Sequence, residues 1–199
     1  MIYHEGNRHL QDRFDTRRLA DRIEQRLCAT EIGEDDRTFI ESRDMFFLAT
    51  VDERGFPTCS YKGGDAGFVR VVDSRTIVFP NYDGNGMYLS TGNVSVNPNV
   101  GLLFIDFEDP TRLRVNGEAS LVFDRSLVQS YPGAQFVVAV TVREVFPNCG
   151  RYIHRMQRVE RSRYVPRAGE PVAVAEWKQQ ESYVDVLPAG DPARQPSNS

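Results

Sequence analysis

Between Met45 and Val145 the chain is divided into short apolar runs by turn-forming residues, and this spacing constrains the fold more than any other feature. Met45 to Val51 reads as a strand. Asp52-Glu53-Arg54-Gly55 then reads as a turn, with glycine where a positive φ is needed. Thr58 to Lys62 returns, so the pair predicts a hairpin. Phe68 to Asp73 and Thr76 to Pro80 predict a second hairpin across Ser74-Arg75. Val100 to Phe107 is a buried strand, and Arg112 to Phe123 is a long one with a bulge or bend expected at Gly117. Phe136 to Val145 is the last long β-run. Six or seven short strands, mostly hairpin-connected, predict a mainly β chain folded as a small antiparallel barrel. Closure into a barrel removes the free edges that invite aggregation.

Helical periodicity frames this region. Over Arg8 to Ala29, Leu10, Phe14, Ala20, Ile23 and Leu27 share roughly one face, which predicts one helix. A second is expected near Asp35 to Arg43, with Phe39 and Ile40 inward and acids Glu34, Asp35 and Asp36 at its positive end. Met87 to Val96, Asp124 to Tyr131 and Cys149 to Gln157 predict short helices. The expected organisation is a helical extension over 1–43 packed on the barrel, the barrel over 44–164, and an irregular tail over 165–199. Within that tail, Asp191 to Ser199 is expected to be disordered.

Composition narrows the class. With 24 basic and 28 acidic residues the formal charge is −4, which argues against a general nucleic-acid binder. Arg151, Arg155, Arg158, Arg161 and Arg163 still crowd one stretch. No apolar run approaches the roughly 20 residues of a membrane span, and Met1 to Arg13 lacks a secretory apolar segment. Three cysteines without paired spacing, Cys28, Cys59 and Cys149, suggest reduced thiols in the cytoplasm.

Four segments carry candidate chemistry. Phe79 to Ser90 is glycine-rich and runs from a strand into a helix start, where free N–H groups suit phosphate; Asn85 and Ser90 add neutral donors. From the residues alone an ordinary solvated loop is the preferred reading, because such turns are common. Lys62 ends a strand before Gly63-Gly64 and can meet an anion as a point charge; a surface lysine is the ordinary alternative. Arg112, Arg114 and Asn116 share one strand face. They suit an electron-rich ring edge or an anion, or equally ion pairs with Asp106 and Glu108. Phe146 to His154 gathers polar and aromatic types, but a helix cap or subunit contact is preferred to a Cys149–His154 catalytic pair. No metal site is expected. Hydrolase, zincin and dinucleotide-binding motifs are absent from the sequence.

The order Ser60-Tyr61-Lys62-Gly63-Gly64, Gly67-Phe68-Val69-Arg70-Val71, Ile77-Val78-Phe79-Pro80-Asn81, Asn97-Pro98-Asn99-Val100-Gly101-Leu102-Leu103-Phe104 and Arg112-Leu113-Arg114-Val115-Asn116-Gly117-Glu118-Ala119 resembles the pyridoxamine 5′-phosphate oxidase-like FMN-binding split barrels. The likeness covers about Asp44 to His154. It implies a six-stranded antiparallel split β-barrel, a homodimer with FMN in clefts between subunits, and a small-molecule substrate. By position, Ser60, Tyr61 and Lys62 would run beside the flavin ring, and Val78, Phe79, Pro80 and Asn81 would line the ring and ribityl chain. Asn85, Gly86, Met87, Tyr88 and Ser90 would surround the phosphate. Arg112 and Arg114 would approach the ring's carbonyl edge, and Asn148, Arg151 and Tyr152 would complete the cleft from the second subunit. Two departures matter. The family's phosphate-binding Arg-Lys pair falls near Leu89 and Ser90. Arg151-Tyr152-Ile153-His154 also has the wrong spacing for the oxidases' Arg-x-His element. Pyridoxamine phosphate is therefore not the expected substrate. The leading expectation is an FMN-dependent oxidoreductase. The alternative is a non-catalytic split barrel carrying flavin, haem or a deazaflavin. Neither a membrane nor a nucleic-acid partner is expected.

Overall fold

Alternating burial builds the sheet strand by strand in a computed structural model that describes residues 2–194. β1 (Met45–Val51) and β2 (Pro57–Gly63) form the first hairpin, with Phe46 opposite Lys62 and Leu48 opposite Ser60. β3 (Arg70–Asp73) and β4 (Thr76–Tyr82) form the second. β5 (Asn99–Asp106), β6 (Thr111–Val122) and β7 (Ala134–Asn148) supply the remaining strands. All seven join one antiparallel sheet in the order β2-β1-β5-β6-β7-β4-β3, the larger of the two expected strand numbers.

The sheet is rolled. β1 and β4 lie four places apart in that order, about 19 Å across a flat sheet. Yet the ring centroids of Phe46 and Phe79 are 5.0 Å apart and edge-on, and Phe104 lies 5.1 Å from Phe46. All three rings are fully buried in one continuous core. The expected irregularity at Gly117 is present as a register shift between Asn116 and Gly117. A Cβ there would stand 2.3 Å from the Thr141 carbonyl oxygen, so only glycine allows β6 and β7 to approach so closely.

Helices close the ends. The single helix expected over Arg8 to Ala29 is two, α1 (Glu5–Arg13) and α2 (Arg17–Leu27). Asp15 adopts φ 51 between them, and Thr16 N donates to Gln11 O at 2.8 Å, so the chain turns there. Neither helix buries a residue, and Leu10, Phe14, Ile23 and Leu27 stay exposed. α3 (Glu34–Ser42) supplies the anchor through fully buried Ile40, with Phe39 packed against the core as expected. α4 (Leu89–Val96) and α5 (Arg125–Gln129) match the expected short helices. No helix forms over Cys149 to Gln157. That segment instead lies against the β5–β6 turn, where Met156 N donates to Phe107 O and Arg155 Nε to Glu108 O.

The tail is more ordered than its sequence suggests. It carries a 3₁₀ turn (Glu176–Gln179) and α6 (Glu181–Val184). Asp191, placed in the expected disordered end, is buried; residues 195–199 lie outside the described residues. Among the described residues no helix is long and apolar enough to cross a membrane.

The rolled core makes a direct prediction. Phe46→Ala should lower the unfolding free energy by about 3–5 kcal/mol, measured by chemical denaturation. Phe56→Ala, in the exposed turn of the first hairpin, should change it by less than about 0.5 kcal/mol.

Candidate functional site

The first hairpin places alternate side chains on opposite faces, and this alternation sorts the candidate residues. Thr58, Ser60 and Lys62 face the same side as buried Leu48 and Phe46. Tyr61 faces the other way. It belongs to a row of cross-strand partners on the outer face: Tyr61, Phe47, Leu103, Arg114 and Phe146. Arg112 and Asn148 are partners on the same outer face.

On the inner side, β2, the end of β4 and the start of α4 enclose a cleft of about 270 Å³. Of the expected residues, Ser60, Lys62, Asn81, Asn85, Gly86, Met87, Tyr88 and Ser90 line it together. Thr58, Tyr82 and Thr91 line it too, although none was singled out from sequence. The period-two pattern through Ser60 and Lys62 contains Thr58 and was sufficient to find it. A second cleft of about 490 Å³ adjoins the first and shares Lys62, Asn81, Tyr82 and Gly84.

Other expected residues lie elsewhere in the single chain. Val78 and Phe79 are buried in β4, and Pro80 is buried at the second cleft. Tyr61, Arg112, Arg114 and Asn148 belong to the outer face, and Arg151 and Tyr152 are exposed beyond β7. Cys149 and His154 are also exposed.

Local chemistry suits the inner cleft to an anion. The chain enters α4 through Gly86 at φ 76 and Tyr88 at φ 49. A left-handed tyrosine is strained, and it turns the helix start towards the cleft. No side chain caps α4, and its first turn carries no acid. Its leading N–H groups therefore remain for an outside acceptor. Hydroxyls fix this helix to the hairpin: Ser60 Oγ and Ser90 Oγ are 2.8 Å apart, and Asn93 Nδ2 donates to Thr50 and Thr58 Oγ1 at 3.1 Å each.

Lys62 supplies positive charge. It has no hydrogen-bond or ion-pair partner among the described residues, and burial pushes its pKa down. Most of the neighbouring arginines are already neutralised. Arg158 pairs with Asp44, Arg161 with Asp65 at 2.6 Å, and Arg163 with Glu176 at 2.6 Å. The expected alternative pairing of Arg112 and Arg114 with Asp106 and Glu108 does not form. Asp106 instead pairs with Arg43 and caps the turn N–H groups of Glu108 and Asp109. Arg112 Nε is buried without a partner.

Residues 32–149, more than half of the chain, match the family model described as pyridoxamine 5′-phosphate oxidase. The chain belongs to this family. The family is a flavin-binding one, so an anion cleft in the rolled sheet has a natural ligand class. Several solved structures are also similar. HupZ from Group A Streptococcus is 19% identical, with 58% of this chain and 93% of that chain covered at a TM-score of 0.47. An FMN-binding protein from Syntrophomonas wolfei is 13% identical over 70% and 97% at 0.44. An F420 reductase is 20% identical over 57% and 93% at 0.40. No curated protein matches the chain.

The lowered Lys62 pKa fixes the sign of a pH effect. A bound phosphate favours the ammonium, so binding weakens as pH rises through the free-state pKa, which lies below the ordinary lysine range. Titrations with FMN as the phosphate-bearing probe should show this fall in the wild type. Lys62→Met should lose it; identical pH profiles would remove Lys62 from the site.

Proposed function

We propose that this chain is an FMN-binding oxidoreductase that works as a homodimer on a small-molecule substrate. The observation that carries the reading is the inner cleft, where an uncapped helix start and an unpartnered lysine converge in a member of a flavin-binding family. The leading N–H groups of α4, the Ser60 and Ser90 hydroxyls and the Asn85-Gly86 backbone would hold the phosphate. This replaces the Arg-Lys pair with backbone donors, which suit a dianion at a helix N-terminus. Lys62 would balance the charge at the boundary between the two clefts.

A cleft of about 270 Å³ accommodates a phosphate and part of a ribityl chain, and is small for an entire flavin nucleotide. The ring would extend from it and need a further wall. Tyr61, Arg112, Arg114 and Asn148 point from the opposite face of the same sheet, so one chain does not present both sets of residues to one ligand. A second subunit would supply the outer-face set, with Arg151 and Tyr152. The partly apolar outer row of Phe47, Leu103 and Phe146 would then be covered by its counterpart.

Bound FMN supplies hydride or electron transfer. The chain's own contribution is position and electrostatics. Arg112 has no carboxylate partner among the described residues, so its full charge would be available to the ring edge. Positive charge there favours the reduced anion.

Native purification should yield a yellow dimer that releases FMN on denaturation. A colourless protein that takes up no FMN would refute the proposal. Ser90→Glu puts a carboxylate at the helix start and should weaken FMN binding at least about tenfold. Arg112→Ala should weaken binding or lower the flavin potential, read by dye-coupled reduction; no change in either removes it from the site.

A further inference from the structure

The loop that lines the anion cleft has little internal support. From Asp83 to Met87 it contains two glycines, and one side-chain hydrogen bond lies within it, Asn85 Oδ1 accepting from Met87 N at 3.1 Å. N–H groups aimed at a ligand work only when their positions are held beforehand. The support comes from outside the loop. Gln135 on β7 accepts from Asn81 Nδ2 at 3.1 Å and from Tyr88 Oη at 3.2 Å, tying both flanks.

Asp83, the first residue of the loop, accepts weakly from Gln135 Nε2 at 3.5 Å and is held more closely from the C-terminal segment. Lys178 Nζ lies 2.5 Å from Asp83 Oδ2 and 2.7 Å from Asp191 Oδ2. The Lys178 and Asp191 side chains are 6% and 5% exposed, whereas Asp83 is 51% exposed. A buried lysine between two carboxylates is rare, because an unpaired buried charge is costly. Its ordinary place would be the surface. Burial pushes its pKa down, but the hydrogen bonds to Asp191 and Asp83 outweigh this and raise it. Trp177 and Lys178 line two further clefts behind the same loop, of about 330 and 350 Å³, each also lined by Asp83, Gly84 and Asn85. The C-terminal segment therefore backs the loop on the side away from the anion cleft. It lies beyond the stretch matched by the family model.

We propose that Lys178 is a positioning residue for cofactor phosphate: anchored by Asp191, it latches Asp83 and sets the Asp83–Tyr88 loop in its phosphate-binding form. This rests on the FMN reading above. The latch acts on the phosphate end of the ligand alone, so its loss should separate FMN from riboflavin, which has no phosphate.

Full-length Lys178→Met and Asp83→Asn are titrated with FMN and with riboflavin, with thermal unfolding followed in parallel. The latch predicts FMN binding weakened about tenfold, the size of a lost charge-assisted hydrogen bond, and riboflavin binding changed less than about twofold. Asp83→Asn also gives a sign test. It removes a negative charge from the loop that carries the cleft-lining residues Gly84 to Met87, so a purely electrostatic role would tighten FMN binding, whereas the latch weakens it. Unchanged FMN affinity, tighter binding in Asp83→Asn, or equal losses for FMN and riboflavin would overturn the proposal. If Lys178→Met does not fold, Asp83→Asn at its half-exposed position decides alone. A wild-type protein that binds neither flavin overturns this inference and the FMN reading together. Normal FMN binding in every variant overturns only the latch.

Discussion

The contact of Phe46 with Phe79 and Phe104 rolls the sheet, and the site depends on that roll. Strands four places apart in sheet order meet through these rings. The sheet curls around them, and its end strands, β2 and β3, are left without a mutual ladder. The anion cleft lies along β2 and the end of β4, beside this open seam. There the inward-facing positions pass from apolar Phe46 and Leu48 on β1 to Thr58, Ser60 and Lys62 on β2. α4 closes the cleft through Ser90 and Asn93, so a packing feature of the core shapes the proposed anion site at the rim.

Charge placement sets the cleft apart from the surface around it. A chain with 24 basic residues could scatter positive potential widely. Instead, Arg158, Arg161, Arg163 and Lys178 are each matched by a carboxylate, as Arg43 is by Asp106. Lys62 has no such partner among the described residues and sits where the two clefts meet. Pairing elsewhere reduces competing anion sites on the same surface.

Much of the fold was legible because strands announce themselves by period and turn. The two hairpins, the Gly117 bulge and α4 all follow from short-range rules. Errors arose where distant contacts decide. The break at Asp15 needs a positive φ that no sequence rule assigns to aspartate with certainty. The segment after β7 forgoes a helix because the Met156 N–H bonds to Phe107 O and the Arg155 side chain to Glu108 O instead. The site was legible in half. Residues from Ser60 to Ser90 cluster because strand, loop and helix start are consecutive in space. Arg112, Arg114 and Asn148 share the strand alternation but face outward, and sequence alone does not say which face meets a ligand. Lys178 was invisible, since its partner Asp83 is 95 residues away and lysine is rarely buried.

The most direct measurement is a crystal structure of the protein with FMN. The account predicts the phosphate at the start of α4, accepting hydrogen bonds from its leading N–H groups and from Ser90, with Lys62 nearby and Arg112 of a second subunit at the ring. A phosphate bound away from α4, or a flavin enclosed by one subunit alone, would contradict it.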